Sequence, residues 1–120
     1  MSCVIIADTD RSARNALTLL LTRKYAAEQI SYADDVQSLT SEVQAGQNCI
    51  VLISDKLPGL AIPETCEQIR KFNPNASLAI LSVDSLLEAQ AVKCGAVFIR
   101  KGDSIQIIMD QLDKLLSDME

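Results

Sequence analysis

The run Cys49-Ile50-Val51-Leu52-Ile53 passes without a break into Ser54-Asp55-Lys56-Leu57-Pro58-Gly59. Five apolar residues in succession, with no polar alternation, do not fit a strand that keeps one face in water. They describe a strand covered on both faces, as in the middle of a parallel sheet. The switch at Ser54 to polar and turn-forming residues marks the carboxyl end of that strand. In an open α/β sheet, ligands and chemistry collect just outside such ends. Function is therefore expected within reach of Ser54 and Asp55.

The remaining segments supply partners for this strand. Residues 3–7 form a short apolar strand ending in the acidic tip Asp8-Thr9-Asp10. A helix follows, capped by Asp10, with Ala13, Leu17, Leu20 and Leu21 on its inner stripe and Arg11, Arg14 and Arg23 toward water. Residues 28–33 read as a weaker edge strand. Asp34 and Gln37 then make a capping-box pattern, Val36, Leu39 and Val43 mark one helical face, and Gly46 stands at the stop.

Past Gly59, Pro63 suits a first helical turn, Ile62, Cys66 and Ile69 share a face, and Asn73-Pro74 ends the helix. Residues 78–81 are a fourth strand closed by Ser82. Residues 85–93 read as a short helix with Leu86, Ala89 and Val92 or Cys94 inward, stopped by Gly95, and 97–99 are the fifth strand. The last helix takes Asp103 and Gln106 as cap and partner, buries Ile105, Ile108, Leu112 and Leu115, and runs out in the acidic residues 117–120. Strands alternating with helices through short loops, joined by right-handed crossovers, give an α/β, flavodoxin-like (βα)5 doubly wound sandwich. The expected strand order is 2-1-3-4-5, in one domain spanning residues 1–120. That order sets Asp8, Thr9 and Asp10 beside Ser54 and Asp55.

Composition removes several functions. Sixteen acidic against eleven basic side chains give a net charge of −5, the wrong sign for direct binding to a phosphate backbone. The chain has no histidine, so a hydrolase built on a histidine triad is excluded. Apolar runs are far shorter than the roughly 20 residues of a bilayer span, and the N-terminal one is too short for a signal peptide, so a cytoplasmic location is expected. Cys3, Cys49, Cys66 and Cys94 show no zinc or redox spacing and are expected as buried reduced thiols. The loop after the first strand has neither the glycines nor the hydroxyls of a flavin or dinucleotide phosphate site, whereas clustered carboxylates there suit a hard cation.

The order of these residues resembles the receiver domain of two-component response regulators over essentially the whole chain. That family has an acidic pair after the first strand, and an aspartate at the end of the third strand, four residues ahead of a Pro-Gly. It also has a hydroxyl residue ending the fourth strand and a lysine ending the fifth. Here Ala7-Asp8-Thr9-Asp10 answers to the acidic motif, 52–59 to the acceptor motif, Ser82 to the hydroxyl and Lys101 to the lysine. Phe98 matches the aromatic switch position, and Lys101-Gly102-Asp103-Ser104 is similar to receivers that precede LuxR-type DNA-binding domains.

Two positions depart from the pattern. Counting four back from Pro58 reaches Ser54, which has no carboxylate to phosphorylate, and the second acid of the pair is Thr9. Asp55 lies one residue out of register, and strand alternation aims it away from Asp8 unless a bulge re-aims it. The segments 82–95 and 95–101 are also shorter than the family pattern, which implies a remodelled face.

The resulting expectation is a non-enzymatic pseudo-receiver with a degenerate phosphoacceptor pocket of Asp8, Thr9, Asp10, Ser54, Asp55, Ser82 and Lys101. It would need no metal or cofactor and would act by binding a protein partner in a signalling pathway. The resemblance allows a homodimer without fixing its geometry. One alternative is a phosphorylatable receiver that uses Asp55 with Mg²⁺. Another is the detached N-terminal regulatory domain of a transcription factor.

Overall fold

The computed structural model of the chain describes residues 2–43 and 48–117. Among them the elements are β1 (Ser2–Ala7), α1 (Arg11–Leu21), β2 (Ile30–Ala33), α2 (Val36–Glu42), β3 (Asn48–Ser54), α3 (Ile62–Phe72), β4 (Ser77–Ser82), α4 (Glu88–Lys93), β5 (Val97–Arg100) and α5 (Ile105–Ser117). Single 3₁₀ turns precede β2 (Ala27–Gln29) and α4 (Ser85–Leu87). All strand pairs are parallel, in the expected order β2-β1-β3-β4-β5.

The uninterrupted apolar character of β1 and β3 follows from this position. Ile5, Val51 and Ile53 point into a core covered by α2, α3 and α4 through Leu39, Ile62, Cys66, Ile69 and Ala91. Their sequence neighbours Val4, Ile6, Ile50 and Leu52 point into a second core, where α1 and α5 contribute Leu17, Leu21, Leu112 and Leu115. Alternate side chains of one strand thus serve opposite faces, and neither face is left for polar residues.

Several local expectations shift. The second strand begins at Ile30, after the 3₁₀ turn. The cap of α2 is Asp35 with Ser38, one residue later than the Asp34–Gln37 pairing, and Asp35 accepts from the Ser38 amide at 2.7 Å. The stop assigned to Gly46 lies outside the described residues, as do residues 118–120 and the side chain of Ile105. At α5, Ser104 rather than Asp103 accepts from an amide of the first turn, that of Ile107. Around α4 the inward positions are Leu87, Ala91 and Cys94, whereas Leu86 and Val92 face solvent. The 3₁₀ turn ahead of the helix rotates its register, so a single helical period over 85–93 assigns the wrong stripe.

The expectation of four reduced thiols is corrected for two of them. Cys3 and Cys49 are direct partners in the β1–β3 register and form a disulfide with Cα atoms 4.7 Å apart. Their separation of 46 residues carries no motif, and only strand adjacency brings them together. Cys66 and Cys94 are free. No helix among the described residues is long and apolar enough to cross a membrane.

Candidate functional site

The carboxyl ends of β1, β3, β4 and β5 converge on one crevice. At the end of β1, Asp8 is buried. Its Oδ1 accepts the Asp10 amide at 2.9 Å, which leaves Oδ2 facing Lys101 Nζ at 4.0 Å. Asp10 turns outward to cap α1, accepting from the amides of Ser12 and Ala13, and Thr9 is exposed beside it. The backbone at Asp8 is held by Arg14, which helical spacing places toward water. Arg14 donates to the Asp8 carbonyl from Nε at 3.0 Å and Nη2 at 2.6 Å, pairs with Asp34 at 2.6 Å, and lies 4.9 Å over the Tyr32 ring. Helical periodicity could not find this role, because Arg14 sits on the polar side of α1 and reaches its partners along the rim of the sheet.

Ser54 is the last residue of β3, and the ladder runs one step further through the Asp55 amide, which donates to the Leu81 carbonyl at 3.0 Å. The chain then turns, with the Leu57 amide on the Ser54 carbonyl at 3.1 Å, and buries Leu57. Gly59, at φ +83°, completes this loop against Val36. The left-handed backbone there suits glycine.

Ser54 Oγ accepts from the Lys56 amide at 3.2 Å and from Lys101 Nζ at 2.8 Å. Asp55 accepts from Ser82 Oγ at 2.9 Å through Oδ2 and faces Lys101 Nζ at 3.8 Å through Oδ1. The expectation that Asp55 aims away from Asp8 is therefore overturned. Alternation correctly assigns the two residues to opposite faces, but at the rim no further backbone separates those faces. The Asp55 carboxylate leans over the edge and meets the lysine that also faces Asp8.

The two remaining polar groups are fixed from behind. Ser82 is buried and accepts the Asp84 amide at 2.9 Å, so its hydroxyl proton is directed at Asp55. Lys101 is tied to the Ser82 carbonyl through its own amide at 3.0 Å. Phe98 packs in the core under α2, α3 and α4 rather than in the crevice. The pocket thus gathers Asp8, Ser54, Asp55, Ser82 and Lys101, and leaves the side chains of Thr9, Asp10 and Phe98 out of it, Asp10 joining only through its amide.

Two carboxylates face one ammonium, which leaves the cluster one negative charge in excess at a rim partly shielded from water. Excess negative charge in such a place favours an added cation. No group of three or more acidic or thiol ligands gathers among the described residues. Asp8 and Asp55 alone match the one or two carboxylates with which Mg²⁺ is ordinarily held, the rest of its shell being water and phosphate oxygen.

No protein-family model matches the chain, and no curated protein matches it. Solved structures do. The receiver domain protein (CheY-like) from Methanospirillum hungatei superposes with a TM-score of 0.80 at 17% identity, over 99% of this chain and 96% of that one. The Mg²⁺–BeF complex of response regulator TrrA from Thermotoga maritima gives 0.75 at 19%, over 96% and 99%. The beryllofluoride-activated NtrC4 receiver domain dimer gives 0.82 at 14%, with full coverage of both chains. At these identities the likeness establishes the fold, which is that of CheY-like receiver domains.

Proposed function

We propose that this chain is a phosphate-receiving signalling domain with Asp55 as its acceptor, in place of the phosphorylation-independent module that Ser54 first suggested. The observation that carries the reading is the Asp55 carboxylate, 2.9 Å from Ser82 Oγ and 3.8 Å from Lys101 Nζ in the crevice that holds Asp8. An Asp55 oxygen attacks the phosphorus of a donor, the bond from phosphorus to the donor's leaving atom breaks, and an acyl phosphate forms. Lys101 and Ser82 stand where they can take the phosphoryl oxygens as new partners, the first by charge and the second by its hydroxyl proton. Mg²⁺, held by Asp8 and Asp55, supplies neutralisation of phosphate charge when bound.

The chain consumes a phosphodonor only to modify itself. Its output is a changed surface read by a protein partner, with no nucleic acid bound directly and the cytoplasm as its place of work. The test is incubation with Mg²⁺ and acetyl phosphate. A phosphoryl adduct mapped to Asp55 by mass spectrometry, absent in Asp55→Asn, is the expected result.

A second reading, protein binding without phosphorylation, draws on two features. Thr9 stands exposed where a second acid of β1 would be, and Lys101 spends its shortest hydrogen bond on Ser54. It predicts no adduct under any phosphodonor.

A further inference from the structure

On the side of the sheet covered by α3 and α4, Cys66 and Cys94 line an open cleft of ≈ 450 Å³ that shares no residue with the Asp55 crevice. Cys66 lies on the inner face of α3 and is buried, whereas Cys94 caps the C-terminal end of α4 and is partly open to the cleft. Both side chains face this one cleft. Their backbones are held together. The Arg70 guanidinium, on the helix that carries Cys66, donates to the carbonyls of Cys94 and Gly95. Arg70, Lys71 and Lys93 against Glu67 leave the cleft cationic on balance. Burial holds Cys66 as the thiol, pushed up to about 11.

We propose that Cys66 and Cys94 are a modification site, a thiol pair that a hydroperoxide converts reversibly to a disulfide. The Cys94 thiolate attacks the peroxide oxygen, the O–O bond breaks, and hydroxide or alkoxide leaves to take up a proton, so that Cys94 becomes a sulfenic acid. The Cys66 sulfur then attacks the Cys94 sulfur, the S–O bond breaks, and the Cys66 proton departs with the oxygen as water. In sum, two thiols and one hydroperoxide give one disulfide, one water and one further water or alcohol. A reducing dithiol reverses the reaction by exchange. A metal-binding role is disfavoured, since no third ligand joins the pair among the described residues. The bridge fixes to α3 the turn that leads into β5.

The experiment uses the whole chain. Wild-type protein is treated with hydrogen peroxide, blocked with iodoacetamide, digested with trypsin without reductant and mapped by mass spectrometry. A link between peptides 57–70 and 94–100, lost after dithiothreitol, is expected. In Cys66→Ala the reaction stops one step earlier, and dimedone then labels Cys94 where the wild type gives the link. The proposal is overturned if peroxide-treated wild type carries iodoacetamide on both sulfurs. It is equally overturned if Cys94 proceeds to sulfinic acid with no link, or if either cysteine pairs instead with Cys3 or Cys49.

Discussion

Lys101 decides what its neighbours can do, because one ammonium serves Asp8, Ser54 and Asp55 and touches only Ser54 at hydrogen-bond distance. Ser54, which counting from Pro58 puts at the acceptor position, accepts the lysine's hydrogen bond. The ambiguity between Ser54 and Asp55 was not resolvable from spacing, since removing one residue from the loop before Pro58 moves the motif by one. The meeting of two faces at the rim lets both side chains reach Lys101. Thr9 is the complementary case, exposed beside the crevice, so a carboxylate can be added there at little cost to folding. Thr9→Asp is expected to tighten Mg²⁺ binding about tenfold, or about 1.4 kcal/mol, measured by isothermal titration, with the denaturation midpoint nearly unchanged. Cys66 gives a prediction in pH. Its thiol proton is held up to about 11 in the folded chain against an ordinary 9.0. The folded state thus binds more protons than the unfolded one across that window. The contribution is complete below pH 9.0 and drains away toward 11. Relative to Cys66→Ala, the wild type should lose stability as pH rises through that interval, read from urea midpoints.

Elements were legible wherever one period ran the length of a segment. The stripes Leu17–Leu21 on α1, Leu39–Val43 on α2 and Ile62–Cys66–Ile69 on α3 are buried as their spacing implies. The misreadings cluster where a 3₁₀ turn or a cap shifts the register by a residue, as before α4, and no periodicity argument detects such a shift. The α4–β5 turn shows what the shift serves. Gly95 sits at φ +76°, and a Cβ built there would lie 3.0 Å from both terminal nitrogens of Arg70. Gly95→Ala must therefore adopt a left-handed backbone, at about 1–2 kcal/mol, and must also push aside the guanidinium that clamps this turn to α3. A fall in urea stability of at least that size is expected. A neutral result would mean that the clamp contributes nothing to stability.

At the scale of the molecule, the sheet separates what holds the fold together from what acts. The disulfide joins β1 to β3 near their amino ends, at Cys3 and Cys49, whereas the crevice opens at Asp8 and Asp55. Six residues of extended strand from Cys49 to Asp55 put about 20 Å between the two. Closing a loop of 46 residues restricts the unfolded chain, which in the loop-entropy account is worth about 4 kcal/mol. That is a large share of the roughly 5–15 kcal/mol by which domains are stable. The side chains of Asp55, Ser82 and Lys101 are positioned by the loops and ladder ends at the opposite rim, none of which contains a cysteine of this bridge. Reduction, or Cys3→Ala combined with Cys49→Ala, should therefore lower the urea midpoint strongly while leaving the yield of the beryllofluoride adduct at Asp55 unchanged in the absence of denaturant. Loss of the adduct in protein that is still folded by circular dichroism would show that the bridge reaches the crevice through β3. An unchanged midpoint would show that the unfolded chain is not constrained by it.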